Sequence, residues 1–333
     1  MIVPTRRRQG NLGTAGTLIG YTGAMRSPPE LQARPATVGE ALEYCAEALE
    51  ASGACFGHGT DNAWDEAVQL VLAVANLPVD ADDSVLPLAL DEAQSARLQA
   101  LLRRRTGERV PLPYLLGRAW FAGLEFRCDE RAIIPRSPLA ELILNDFRPW
   151  YAGPPPRRIL DLCCGGGCIG LAAAHYAPGA VVDLVDIDQG ALELAAENAA
   201  ALGLADRVRI IRSDLFAALP QGRYDLILSN PPYVDAADLA TMPAEYHHEP
   251  ERALGSGPDG LDLTRQILDG AGDFLADGGL LVVEVGNSGA ALERAFPTVP
   301  FTWLEFERGG HGVFALTAVE MQEYRASLRY QAV

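Results

Sequence analysis

The sequence lacks both long apolar runs and an excess of positive charge. Its best apolar stretches are interrupted by Asp, Glu or Gly, and none approaches the roughly 20 residues that a membrane-spanning helix requires. Lys and Arg together number 27 against 44 for Asp and Glu, which gives a formal net charge of -17. Because affinity for nucleic-acid phosphates comes mainly from Lys and Arg, we expect a soluble protein without membrane association or direct nucleic-acid binding. The acidic balance suits a basic protein partner.

Cysteine is also sparse, and its pattern excludes two kinds of site. The six residues have neither the density of a disulfide framework nor the paired spacing of a zinc motif, and no complementary His or Cys pair lies near them in sequence. We therefore expect no metal, and a reducing, cytoplasmic environment. The cysteines are Cys45, Cys55, Cys128, Cys163, Cys164 and Cys168.

Enough apolar sequence remains for two domains. The 333 residues exceed what one hydrophobic core usually holds, and 49% of them are apolar. Residues 1–36 are typical of a disordered extension; a start codon placed too early, with Met25 as the true initiator, would look the same. The other predicted segments are a helical domain at 37–108, a hairpin linker at 109–134, a sheet domain at 135–320 and a tail at 321–333. The oligomeric state is left open.

Hydrophobic periodicity separates the helices from the sheet. Thr37 followed by Glu40 predicts a capped helix, and further helices are predicted near residues 64–74 and 91–105. Beyond a hairpin around Gly123, short apolar runs alternate with amphipathic helices, which predicts a parallel sheet covered on both faces. The predicted strands are 158–162, 181–186, 208–211, 224–229 and 280–285, then an antiparallel pair at 301–307 and 312–317.

A glycine-rich turn follows the first of these strands. Gly165, Gly167 and Gly170 satisfy the pattern Gly-x-Gly-x-x-Gly, and such a strand-to-helix turn lets a ligand approach bare backbone. The pattern alone is weak, since nicotinamide dinucleotides use it as well. Asp161 lies just before the turn, where a carboxylate attracts the amino group of a cationic sulfonium ligand and repels a pyrophosphate. This favours S-adenosylmethionine.

Acidic residues at the next two strand ends extend the nucleoside site. Asp186 closes the second strand and can accept hydrogen bonds from both ribose hydroxyls, with a helix cap as the alternative. Asp214 follows the third strand and can bind the adenine amino group, with Leu215 and Phe216 facing the ring; an ordinary turn with a buried Phe is the alternative. The adjacent histidines at 247 and 248 are assigned to loop structure or substrate contact.

The tetrad of Asn230, Pro231, Pro232 and Tyr233 lies at the carboxyl end of the fourth strand. An amide nitrogen is a poor nucleophile, so an enzyme that methylates it must aim its lone pair at the methyl donor. The Asn230 side-chain carbonyl and the Pro231 backbone carbonyl can accept both N–H groups of such a substrate. The prolines stiffen the loop, and the Tyr233 ring can stack on a flat substrate group; a simple Pro-Pro turn is the alternative.

Together, the glycine turn and the tetrad resemble the glutamine-specific protein methyltransferases, whose members modify release factors or a ribosomal protein. Further segments are similar to the ribosomal branch of that family, over roughly residues 37–317. In the release-factor branch the residue matching Ser137 is typically Pro. The similar segments are 119–121, 134–138 with Glu141, 245–250, 259–261, 284–288, 300–304 and 309–314.

The resemblance implies an α/β fold: a Rossmann-like class I methyltransferase sheet with a C-terminal antiparallel hairpin, plus a small helical N-terminal domain that helps to recognise the substrate. It implies S-adenosylmethionine as cofactor and, as substrate, a glutamine amide in the third protein of the large ribosomal subunit. The family usually carries hydroxyl residues at the loop positions of Cys164 and Gly166, so cofactor hydrogen bonding is weakened here while the backbone cradle remains.

The expected site residues fall into two groups. Asn230, Pro231 and Tyr233 are the expected catalytic residues, and Pro232 joins them in substrate binding. The expected cofactor-binding residues are Asp161, Cys163, Cys164, Gly165, Gly166, Gly167, Asp186, Asp214, Leu215 and Asn230.

Three alternative functions remain open on the sequence. A release factor glutamine methyltransferase would share the chemistry. An adenine-amino methyltransferase of DNA or RNA would share the tetrad but needs a basic groove and a flipped-out base. A catalytically silent module would use the same fold to dock on ribosomal proteins, although the retention of both Asp161 and Asn230 favours an enzyme.

Overall fold

The computed structural model describes residues 35–329, which form two compact units. The first unit comprises the described residues up to Phe56 together with Thr60–Leu112. The second comprises Gly57–Gly59 and the chain from Pro113 onward. The predicted extension at 1–36, with its alternative start, lies outside the described residues except for its last two positions. No helix within the described range is long and apolar enough to cross a membrane.

Three long helices characterise the first unit. The first begins at Thr37, whose hydroxyl accepts the Glu40 N–H at 3.3 Å, as the sequence predicts. The buried guanidinium of Arg105 donates to the buried Glu66 carboxylate, which links the third helix to the second. These helices are α1 (Val38–Ser52), α2 (Ala63–Ala75) and α3 (Glu92–Gly107).

A hairpin near the start of the second unit lies within the segment predicted as a hairpin linker, 109–134. Its strands are β1 (Arg118–Phe121) and β2 (Leu124–Arg127), preceded by the short helix α4 (Leu112–Leu116). The Asn198 side chain accepts the Arg127 N–H at 2.7 Å and donates to the Arg127 carbonyl at 3.2 Å, and the Tyr176 hydroxyl donates to the Ala122 carbonyl at 2.7 Å. Because these bonds fasten the hairpin to helices of the sheet, the segment is part of that unit and not a free connector.

A seven-stranded sheet, in the order β5-β4-β3-β6-β7-β9-β8, forms the centre of the second unit. Strands β3 to β7 are parallel, β9 is antiparallel to β7, and β8 is antiparallel to β9. This confirms the predicted α/β fold with its C-terminal antiparallel hairpin. The strands are β3 (Arg158–Leu162), β4 (Val181–Asp186), β5 (Val208–Arg212), β6 (Tyr224–Ser229), β7 (Leu275–Glu284), β8 (Thr302–Trp303) and β9 (Val313–Thr317).

Helices cover both faces of the sheet. Ile159 and Leu160, neighbours on β3, enter different apolar clusters because successive strand side chains point to opposite faces. Met321 and Leu328 are buried, so the predicted tail at 321–333 packs on the core as far as it is described. The helices are α5 (Leu139–Leu144), α6 (Cys168–Tyr176), α7 (Gln189–Ala201), α8 (Ala236–Thr241), α9 (Asp262–Phe274), α10 (Gly289–Ala295), α11 (Ala318–Glu323) and α12 (Arg325–Leu328).

The strand order reverses beside β3. The chain passes outward from β3 to β4 and β5, then returns to β6 on the other side of β3. Leu162 pairs with Ser229 at the ends of β3 and β6, and the Ser229 hydroxyl donates to the Leu162 carbonyl at 2.8 Å. A crevice is expected at the carboxyl ends of parallel strands where such a reversal occurs.

We predict that Gly170 tolerates no side chain. A Cβ there would collide with Leu184 Cδ2 and lie 2.9 Å from Asp161 Oδ2, so Gly170→Ala should lower the free energy of unfolding by ~1–3 kcal/mol through overpacking. Urea unfolding followed by circular dichroism measures the change. Gly179→Ala is the matched control, since nothing lies within 4 Å of its added Cβ; equal losses in the two variants would contradict the prediction.

Candidate active site

Residues at the carboxyl ends of four parallel strands line one crevice, whose volume is about 780 Å³ including its open mouth. A second cavity, of about 510 Å³ including its open mouth, shares Cys163, Gly165 and Asn230 with it. The shared lining lets one ligand extend from one cavity into the other. The strand-end residues of the crevice are Cys163 and Gly165 after β3, Asp186 on β4, Asp214 and Leu215 after β5, and Asn230 and Pro232 after β6.

A backbone hydrogen bond and two positive φ angles fix the conformation of the glycine turn. The Gly165 N–H donates to Asp186 Oδ2 at 2.9 Å. Positive φ angles at Cys163 (57°) and Gly165 (53°) turn the chain sharply after β3. Cys164 and Gly166 lie in the wall of the second cavity. The turn therefore presents backbone to both cavities.

Gly167 lies on the other side of this turn. It precedes α6 with a φ of 82° and lines neither cavity. A Cβ at this position would be 3.1 Å from Ala195 Cβ on α7. The missing side chain therefore lets α6 pack closely against α7, and the expected cofactor contact of Gly167 stays a prediction.

Asp161 lies behind the turn and not in the wall of either cavity. The residue is fully buried; its Oδ2 accepts the Gly170 N–H at 2.8 Å, while no described residue bonds to Oδ1. Burial raises the pKa of this carboxyl from 3.8 to about 8, and the nearby Asp186 charge adds to the rise. Asp161 therefore supports the turn, and the cofactor contact expected from the sequence stays a prediction.

The acidic residues at the ends of β4 and β5 face the crevice. Both Asp186 oxygens accept backbone N–H groups, from Gly165 and Asp188, at 2.9 Å each, and each oxygen keeps a further lone pair. Burial raises the pKa of Asp186. Asp214 is exposed in the crevice wall, beside the buried Leu215. This arrangement fits ribose hydroxyls at one point and an adenine ring at the other.

The two aromatic residues singled out in the sequence lie outside the cavities. Phe216 stacks on Phe274 with ring centroids 4.9 Å apart and planes inclined by 17°, so the expectation that it faces adenine is wrong. The apolar surface of α9 supplies the partner that the sequence pattern did not reveal. Tyr233 also lines neither cavity, and its hydroxyl donates to Glu284 at 3.0 Å.

Asn230 lies where the two cavities meet. The residue is half-buried, and within residues 35–329 its side-chain amide makes no hydrogen bond. Pro231 and Pro232 are buried, and neither has a backbone N–H to offer. Asn230 therefore presents its carboxamide at the junction, Pro232 lines the first cavity, and Pro231 lines neither cavity.

Carboxylates neutralise the arginines that line the cavities. Among the described lining residues no arginine lacks such a partner, so a phosphate-rich ligand would have to compete for each one. The pairs are Arg127 with Glu197, Arg131 with Asp129 and Glu197, Arg136 with Glu249, and Arg252 with Asp188.

Sequence patterns missed the wall that covers the crevice. It consists of residues 131–133, before α5, and residues 250–253, after α8. The Arg252 guanidinium donates to Asp188 at 2.8 Å and joins the second of these segments to the wall formed by the strand ends. The two residues are 64 positions apart, and a pairing over that distance leaves no local signal in the sequence.

The cysteines of the second cavity act as small apolar groups. Burial is the largest cause of a raised pKa in each of these thiols, so they stay protonated near neutral pH. No group of three or more His, Cys, Asp or Glu in the described part of the chain is arranged to hold a metal ion. His247 and His248 lie in the short turn Ala244–His248 and line neither cavity. The thiols are those of Cys128, Cys163, Cys164 and Cys168.

The chain is similar to known methyltransferases over most of its length. Residues 140–249 match the methyltransferase small domain. The ribosomal protein uL3 glutamine methyltransferase of Francisella tularensis subsp. tularensis is 46% identical over 294 residues, 88% of this chain and 94% of that protein. The proteins of that name from Xanthomonas campestris pv. campestris and Xylella fastidiosa are 47% and 48% identical; the alignments cover 88% and 86% of this chain, and 94% and 91% of those proteins.

We predict that Asp161 makes the stability of the protein depend on pH. The folded chain keeps a proton on this carboxyl up to about pH 8, whereas the unfolded chain loses it near 3.8, so the contribution to the free energy of unfolding falls as the pH rises between those values. Asp161→Asn removes the titration. Relative to this variant, the wild type should lose up to ~1.4 kcal/mol per pH unit in that window.

Urea unfolding of both proteins at several pH values measures the difference. Asp277→Asn, at an exposed position, is the control for loss of a carboxyl group elsewhere. A stability difference between wild type and Asp161→Asn that stays constant with pH would contradict the prediction.

Proposed function

Because the chain belongs to the family of ribosomal protein uL3 glutamine methyltransferases, we propose that it methylates a glutamine side-chain amide of uL3, the third protein of the large ribosomal subunit. S-Adenosylmethionine is the proposed methyl donor. In the reaction a bond forms between the amide nitrogen and the methyl carbon, the bond from that carbon to sulfur breaks, and the nitrogen gives up one proton.

The crevice suits the nucleoside part of this cofactor. Asp186 offers lone pairs to ribose hydroxyls, and Asp214 with Leu215 offers a polar and an apolar wall for adenine. The glycine turn brings bare backbone to the second cavity. When bound, S-adenosylmethionine supplies a methyl group activated by a positively charged sulfur.

The tetrad orients the acceptor amide. The Asn230 carbonyl and the Pro231 backbone carbonyl accept the two N–H groups of the glutamine, which fixes the plane of the amide and lends electron density to its nitrogen. Orientation supplies much of the rate for so weak a nucleophile. A base is not required before the transfer, since the nitrogen becomes acidic only after it gains the methyl group.

One observation carries this proposal. The Asn230 carboxamide lies at the junction of the nucleoside crevice and the second cavity, with no hydrogen-bond partner inside the described chain. Its oxygen and nitrogen are not engaged by the protein, so they are available to a polar ligand at this junction. A flat amide group is such a ligand.

The charge of the chain supports a basic protein as the acceptor. The net charge is -17, and carboxylates already hold the cavity arginines, which leaves little to attract a phosphate backbone. We assign recognition of uL3 in part to the helical unit over residues 35–56 and 60–112. We place the reaction in the cytoplasm, where a ribosomal protein is encountered.

Replacement of Asn230 tests the chemistry. Asn230→Ala should lower the rate of methyl transfer at least ~100-fold, because the acceptor amide loses a preorganised partner. Affinity for S-adenosylhomocysteine, measured by calorimetry, should stay largely unchanged. Asn145→Ala, at an exposed position outside both cavities, is the control. Unchanged turnover in Asn230→Ala would remove this residue from the mechanism.

A panel of acceptors tests the substrate. The enzyme is incubated with labelled S-adenosylmethionine and separately with uL3, a release factor and plain DNA, and the products are analysed by intact and peptide mass spectrometry. We expect one methyl group on one glutamine of uL3. Label on the release factor or on DNA would support methyl transfer as the reaction but contradict uL3 as the substrate.

A further inference from the structure

A buried carboxylate holds the last residue of the tetrad. Glu284, at the end of β7, is 5% exposed. Its Oε1 accepts the Tyr233 hydroxyl at 3.0 Å, and its Oε2 accepts the Ser137 hydroxyl at 2.6 Å. Glu284 lines neither cavity, so any role in the reaction is exerted through its partners.

The hydrogen bonds around Glu284 determine where the hydroxyl protons of Ser137 and Tyr233 lie. Ser137 Oγ accepts the Leu139 N–H at 3.2 Å, so the single hydroxyl proton of Ser137 is directed to Glu284. The phenol of Tyr233 likewise has one proton to donate. Both hydroxyls donate together only when Glu284 is ionised, because a protonated carboxyl would turn its own hydrogen toward one of them.

Further contacts hold Tyr233 at its backbone and at its ring. The Ser288 hydroxyl donates to the Tyr233 carbonyl at 2.8 Å. A Cβ on Gly286 would lie 2.5 Å from the ring, so the ring packs directly on the Gly286 backbone. Only two prolines, with fixed φ, separate Tyr233 from Asn230. The position of Tyr233 therefore constrains that of Asn230.

We infer that Glu284 is a positioning residue for methyl transfer, which anchors the Tyr233 hydroxyl and so keeps the tetrad in the conformation that presents Asn230 to the acceptor amide. This inference rests on the proposed function. Loss of the anchor misplaces the acceptor, and a misplacement of about 1 Å costs on the order of 100-fold in rate. Cofactor affinity is set by the residues of the two cavities and is not affected.

The ionisation of Glu284 gives this role a pH signature. Burial raises the pKa of Glu284, while the two hydroxyl donors and the charges of Arg136 and His311 oppose the rise. Burial also raises the pKa of Tyr233, which therefore remains a donor throughout the acid range. As the pH falls through the pKa of Glu284, the ionised form is lost and kcat should decline. Tyr233→Phe, without the hydroxyl that senses this charge, should lack that decline.

A double-mutant cycle tests the inference. Glu284→Gln preserves the shape of the side chain and Tyr233→Phe preserves the ring; each should lower kcat ~10- to 100-fold while the cofactor KM changes by less than ~3-fold. The double variant should be no slower than the slower single variant, because both changes break one contact. Ser137→Ala, which removes only the support of Glu284, should cause a smaller loss. The assay uses the acceptor that the panel identifies.

The alternatives give different results. Losses that multiply in the double variant, or an acid decline that persists in Tyr233→Phe, would overturn the positioning role. A merely structural Glu284 would lower the thermal unfolding temperature and leave kcat and the pH profile of the folded enzyme unchanged. If the wild-type protein methylates no acceptor at all, the proposed function itself fails, and the two failures are thereby distinguished.

Discussion

Two hydrogen bonds to strand carboxylates, one from the glycine turn and one from α6, hold the site together. The N–H of Gly165 donates to Asp186 at the end of β4, and the N–H of Gly170 donates to Asp161 on β3. The first bond sets the backbone at the crevice wall, and the second seats the start of α6 against the sheet. Because the register of β3 and β6 then places Asn230 beside this turn, the spacing of nucleoside crevice and tetrad follows from the same local geometry.

Much of this arrangement could be predicted from the sequence, since parallel strands buried on both faces form short apolar runs with polar residues at their ends. The bounds predicted for β3, β4 and β6 agree with the structure, and the tetrad follows β6 as expected. The carboxyl ends of parallel strands lie at the same edge of a sheet, so Asp186 at the end of β4 and Asn230 after β6 line one crevice on either side of β3. For the same reason Asp214, which follows the parallel strand β5, lies in the crevice wall.

The direction of individual side chains could not be predicted, because distant packing partners decide it. Asp161 bonds to the backbone of α6, a contact that the packing of that helix sets and that the sequence did not indicate. Phe216 stacks on Phe274 of α9, and no local sequence pattern indicates this contact. The contact between Ser137 and Glu284 spans 147 residues, so the network that holds Tyr233 has no counterpart in sequence spacing.

The role proposed for the tetrad also implies a way to distinguish an amide from an acid. Asn230 offers a carbonyl acceptor at the junction of the cavities, and the two prolines after it have carbonyls but no N–H donors. A glutamine NH₂ group satisfies such acceptors, whereas a glutamate of the same shape would place a negatively charged oxygen against them without a proton to donate. Desolvation without compensating bonds is costly, so we expect the glutamate to be rejected. On the proposed function, selection and activation of the acceptor use the same groups: the carbonyls that exclude a carboxylate also orient the amide nitrogen for attack.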